Sequence, residues 1–110
     1  MNQEIKTKWV AALRSGEYKQ AKNVLTDGIG FCCLGVLCEL SRLETGFGIA
    51  DNLIKTDGDE NIGRIIQLWS GLPNDFGATI TINDVIDPLT YHNDRGRTFL
   101  EIANAIESQL

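Results

Sequence analysis

The sequence predicts a single α+β domain spanning residues 1–110: about four helices around a buried, cysteine-rich central helix, with a small antiparallel sheet of two to three strands. Three observations carry this. Apolar residues recur at helical spacing in three separate stretches, 5–13, 62–69 and 99–106. The segment "GFCCLGVLCEL", Gly30 to Leu40, places three cysteines in eleven residues with Glu39 as its one charge, so its first turns are apolar on every side, the pattern of a buried helix. Two short runs, "KNVLTDGIGF" and "ATITIN", read as strands. A chain of 110 residues with 43% hydrophobic and 23% charged residues has room for one core and the balance of a soluble globular protein.

The elements follow in order. Ile5, Trp9 and Leu13 form one helical stripe, flanked by Val10 and Ala12; Asn2 can cap its start, Glu4 suits its first turn, and Arg14 with Gly16 marks its end. Asp27-Gly28 lies between two short apolar runs and predicts a tight type I′ hairpin. In the central helix, Cys33, Leu37 and Leu40 share one face, with Leu34 and Cys38 on the next. Gly35 is unfavourable inside a helix, which predicts that another backbone crosses closely there. Glu39, Ser41, Arg42 and Glu44 return the helix to solvent, and Gly46 ends it. From Gly46 to Asn61 the chain is polar, acidic and loop-like. Ile62, Ile65, Ile66 and Trp69 predict a third helix, stopped by Gly71 and Pro73. Ile80 and Ile82 alternate with Thr79 and Thr81 as a strand. "NDVIDPLTY" reads as a short helical or turn segment, with Asp87 capping and Pro88 at the first helical position. The last helix opens with a capping box, Thr98 with Glu101, and buries Phe99, Ile102, Ala103 and Ile106.

Composition narrows the function. No run approaches the ~18 apolar residues of a membrane span, and the charged, amphipathic N-terminus is unlike a signal peptide, so the expected compartment is the cytoplasm. There the cysteines are thiols. Ten Lys and Arg against fifteen Asp and Glu give a net charge of −5 without a basic run, which disfavours direct nucleic-acid binding and suits a protein partner with a basic surface.

Each candidate site has a packing alternative. Cys32, Cys33 and Cys38 lack the paired spacing of a zinc site, and His92 is the single histidine, so no metal or other cofactor is expected. A cysteine nucleophile, Cys32 or Cys33 at a helix start with His92, Asn93 and Asp94 completing it, is the alternative to core cysteines. The "DGDEN" run resembles the front of a calcium loop, but Ile62 stands where that loop needs glycine and Leu68 where it needs a bidentate Glu. "GIGFCC" lacks the third glycine of a dinucleotide-binding turn. Asp57, Asp59 and Glu60 of the acidic loop, with Asn93 and Asp94 of the "HNDRGRT" turn, are the expected binding residues.

At "YKQAKNVL", "GFCCLGVLCEL" and "LTYHNDRGRTFLEIANAIESQL" the chain resembles small proteins encoded by bacteriophages and prophages of Gram-negative bacteria, which share an FCCLGVLC-type segment and a later ND-x-G-x-x-F-x-EIA motif. It is similar, more distantly, to a bacterial family of unknown function that pairs a CALGA helix with a WND turn. The matching positions are Cys32, Cys33, Gly35, Asn93, Asp94 and Gly96, whereas His92 stands where these proteins carry an apolar residue. The resemblance implies a scaffold role for the cysteine helix, with Asn93 and Asp94 tying the last turn to it. It also implies a class of job: a phage accessory protein acting by stoichiometric binding, inhibiting a host enzyme or defence system as anti-CRISPR proteins do. The alternative function is a small-molecule binder or cysteine-dependent hydrolase.

Overall fold

The computed structural model describes residues 1–46, 66–73 and 78–110. Helix α1, Gln3–Arg14, begins where Asn2 accepts the Ile5 N–H at 3.0 Å, and buries Ile5, Trp9, Val10 and Leu13 along one stripe. Asn2 also donates its own N–H to Ser70 O, which ties this start to the end of a later helix.

The expected hairpin at Asp27-Gly28 does not form. A type I′ turn needs positive φ at both central residues, and here only Gly28 has it, at 88°. Asp27 instead folds its carboxylate back onto the N–H groups of Ile29 and Gly30, at 2.9 and 2.7 Å, as an Asx turn. The flanking residues pair through isolated bridges, Thr26 with Phe31 and Gln20 with Phe31, and build no strand.

Helix α2, Cys33–Thr45, is buried from Cys33 through Cys38. Cys32 is its N-cap, the thiol sulfur accepting the Gly35 N–H at 3.3 Å, and Gly46 closes it in the left-handed conformation with φ 78°. The close crossing expected at Gly35 is present: the chain at Leu25 lies directly against it. Ser41 departs from expectation. It is buried, and its hydroxyl lies 3.3 Å from that of Thr45, one turn on. A short polar side chain can turn back along its own helix where a long charged one must reach water.

Residues 66–70 are helical and labelled α3; Ile66 is buried, Trp69 packs on the core, and Gly71 follows with φ 74°. Ile62 and Ile65, read as part of this helix, lie outside the described residues.

The sheet is a two-stranded antiparallel hairpin, β1 Thr79–Ile82 and β2 Val85–Pro88. Its turn is Asn83-Asp84, both at positive φ (50° and 66°), the conformation a two-residue I′ turn demands. The segment expected to be helical or turn is thus a turn at Asn83-Asp84 and a helix from Leu89, with strand β2 between them. Asp87 caps nothing and accepts a bond from Arg95, while Pro88 precedes the six-residue helix α4, Leu89–Asp94. Helix α5, Phe99–Gln109, has the full capping box of Thr98 and Glu101 and buries Phe99, Ile102, Ala103, Ala105 and Ile106. It packs against α1 and β1, while α4 bridges the sheet to α2. Among the described residues, five helices and a two-stranded antiparallel sheet make an α+β fold around one apolar cluster.

Candidate functional site

The two motifs singled out in the sequence meet. Asn93, fully buried on α4, accepts the Cys33 N–H at 3.1 Å and the Gln20 amide at 2.8 Å through Oδ1. Its Nδ2 donates to Ala21 O at 2.8 Å and to Asp94 Oδ1 at 3.3 Å. All four hydrogen-bonding positions of the amide are filled. Gln20 continues the network to Arg97 O at 2.7 Å, and Asp94 accepts the Asn23 N–H at 2.7 Å, at a residue held with φ 66°. One buried amide thus joins the start of α2, the segment around residues 20–23 and the end of α4.

The groups of the cysteine-nucleophile alternative lie within this scaffold. The three cysteines are buried thiols. Cys32 Sγ caps α2, Cys33 Sγ lies 3.6 Å from Leu89 O, and Cys33 O accepts the indole N–H of Trp9 at 2.9 Å. His92, also buried, faces away: its Nε2 lies 2.9 Å from Ile80 O, joining α4 to β1. The structure brings Cys33 and Asn93 together and directs His92 to the sheet. Asp57, Asp59 and Glu60 lie outside the described residues. Among the described residues, no group of three or more His, Cys, Asp and Glu is arranged to hold a metal ion, and no helix is long and apolar enough to cross a membrane.

Two surface features stand apart from this scaffold. A groove of about 360 Å³ is lined by Gln3, Lys6, Thr7, Val10, Ala11 and Arg14 of α1 with Glu107 of α5; Arg14 is engaged by Asn104 and Glu107. The other feature is the exposed apolar side chains of β2 and α4. Ile86 is 70% exposed, Tyr91 53% and Val85 40%. Arg95 bonds to Asp87 and lies 6.0 Å from the centre of the Tyr91 ring, linking strand and helix.

The family model described as a domain of unknown function, DUF8296, matches residues 1–110. The chain belongs to this family. No curated protein and no solved structure matches it.

In this DUF8296 domain the residues that sequence reasoning missed are Ile86, Tyr91, Arg95 and Gln109. A signal was present. Asn83-Asp84 follows an alternating strand, and reading 85–88 as its return partner places Ile86 beside Thr79 and Thr81 on the outer face of the sheet.

Proposed function

We propose that the protein is a small acidic accessory factor that acts by stoichiometric binding to another protein, in the cytoplasm of a bacterial host. The observation that carries this reading is the exposure of large apolar side chains on β2 and α4: Ile86 on the outer face of the sheet, Val85 on the opposite face and Tyr91 on α4. Exposed aromatic and aliphatic side chains beside an Arg have the composition of an interface centre. A second support is that the groups best suited to chemistry are committed to the fold: Cys32 as a cap, His92 to a strand carbonyl, Asn93 to four partners. The net charge of −5 favours a partner with a basic surface. The resemblance to phage accessory proteins supports a host enzyme or defence system as the target.

Affinity capture from a Gram-negative host lysate, followed by native mass spectrometry, tests the reading. The expected result is a complex of fixed stoichiometry that the Ile86→Asp variant fails to form. Substrate turnover by the purified protein, with no complex of fixed ratio, would sink it.

A further inference from the structure

We propose that β2 is an acceptor edge for strand addition, taking an extended partner segment that carries an apolar residue and, two positions from it, a basic one. This rests on the protein-binding reading and names its docking mode and partner chemistry.

The argument begins with the two edges of the hairpin. On β1, Thr81 donates its N–H to Gln109 Oε1 at 2.8 Å and accepts from Gln109 Nε2 at 2.7 Å, so a side chain of α5 closes that edge. Those bonds show that the Thr81 backbone points away from β2. Its Cα partner across the ladder is Ile86. In an antiparallel ladder, opposed residues either bond each other or both point outward, so the Thr81–Ile86 pair is of the outward kind. The N–H and C=O of Ile86 therefore face away from β1, and among the described residues nothing from another element bonds to them. One edge is sealed, and the other presents a donor, an acceptor and an apolar side chain that is 70% exposed. Exposed edges are ordinarily blunted with charge or covered.

The geometry also sets what fits. Pro88 has no N–H to offer, and at Asp84 the chain turns away with φ 66°, so the slot is centred on Ile86 and accepts one short extended segment. A residue of the incoming strand two positions from the one opposite Ile86 passes beside Asp84, the turn residue that ends the slot. Asp84 is exposed and has no ion pair among the described residues, whereas Arg95 is already neutralised by Asp87. The slot thus calls for an apolar residue opposite Ile86 and Lys or Arg beside Asp84. A second copy of the chain is a poor occupant. It would set a second Asp84 at the same edge and a net charge of −5 against its own.

The test uses the full chain, isotopically labelled, with two blocked peptides, one of Thr-Val-Thr-Lys repeated and one of Thr-Val-Thr-Glu repeated. The expected result is saturable binding of the lysine peptide with a shifted and exchange-protected Ile86 amide, and several-fold weaker binding of the glutamate peptide. Asp84→Lys should invert that preference, and Ile86→Asp should abolish binding while leaving the fold intact. Binding that leaves the Ile86 amide unmoved, a preference indifferent to Asp84→Lys, or Ile86 protection that appears with protein concentration alone and a doubled mass would each overturn the proposal. If Ile86→Asp captures the same lysate partner as the unmodified protein, strand docking falls and the protein-binding reading stands. If the peptide docks but no lysate partner exists, the reading falls and the acceptor edge stands.

Discussion

The carbonyl oxygen of Leu25 lies 1.9 Å from the point where a β-carbon on Gly35 would sit. The same carbonyl accepts the Cys32 N–H at 3.1 Å, so it is fixed where α2 begins and has no slack to retreat. The absent side chain at Gly35 lets the preceding segment lie flat on a helix whose first turns are buried all round. A methyl group there collides with backbone, which yields far less readily than the end of a side chain.

Gly35→Ala should therefore lower stability by about 3 kcal/mol, despite alanine's better helix propensity. Urea melts of the variant measure this. A loss below about 1 kcal/mol would mean that the chain at Leu25 moves aside freely. Gly28→Ala is an instructive comparison: among the described residues no atom beyond its chain neighbours lies within 4 Å of its β-carbon position, so its φ of 88° is what opposes the change.

Asn93→Ala should cost about as much, by a different mechanism. It strands the Cys33 N–H and the Ala21 carbonyl, both in buried bonds, and takes one of two partners from the Gln20 amide; unpaired buried groups cost about 1–3 kcal/mol each. Asn93→Leu should not rescue the loss, because the partners and not the volume are missing. A thermal melt in which Leu restores the midpoint would contradict this account.

Asp94→Ala is expected to be milder, about 1–2 kcal/mol, because its main partner, the Asn23 N–H, is in an exposed segment and can turn to water. The bond also holds Asn23 at its positive φ of 66°. Amide exchange at residues 22–24 should accelerate in this variant before global stability changes greatly. An unchanged or higher melting midpoint would count against a scaffold role for Asp94.

Sequence reasoning succeeded where a single residue reports a local necessity. The α1 stripe, the Thr98–Glu101 capping box and the close crossing at Gly35 each follow from a pattern with one physical cause. It failed where two turn signals competed. Asp27-Gly28 has the favoured hairpin dipeptide, but its flanks do not alternate, and an Asx turn satisfies the same N–H groups without strands. Asn83-Asp84 lacks glycine, yet Asn and Asp tolerate the left-handed conformation, and the alternating Ile80 and Ile82 decide the matter. The scaffold half of the site, Asn93 against Cys33, was visible as two motifs. The β2 edge was not, because its meaning depends on Gln109, 28 residues from Thr81, closing the opposite side.

Acid titration of the α5 cap should be visible in stability. The Thr98 N–H bond, with Arg97 beside it, holds the Glu101 carboxyl below its ordinary value of 4.5. The unfolded chain then binds more protons than the folded one just below that pH, so the stabilisation is complete above it and is lost as pH falls through the lowered folded value. Asp27 behaves alike below its ordinary 3.8, through its bonds to the Gly30 and Ile29 N–H groups. Glu101→Gln keeps hydrogen-bonding capacity without titrating, so its urea midpoint should decline less steeply in acid than that of the unmodified chain. Parallel acid limbs for the two proteins would refute the assignment.

The cysteines give the sharpest separation between the protein-binding reading and the hydrolase alternative. A thiolate nucleophile must be reached by substrate, and it is found in partly exposed, electropositive surroundings. Cys32, Cys33 and Cys38 are each 0% exposed, and the single histidine bonds Ile80 O. Iodoacetamide should therefore label all three only as fast as the protein opens, with rates that rise together as urea is added, because one cooperative core encloses them. Rapid labelling of Cys32 or Cys33 alone, in native buffer and with the fold intact, would reveal an opening that reaches the thiol from solvent. That result would make Cys32 or Cys33, with Asn93 and Asp94 at hand, a chemical centre and not only a packing one.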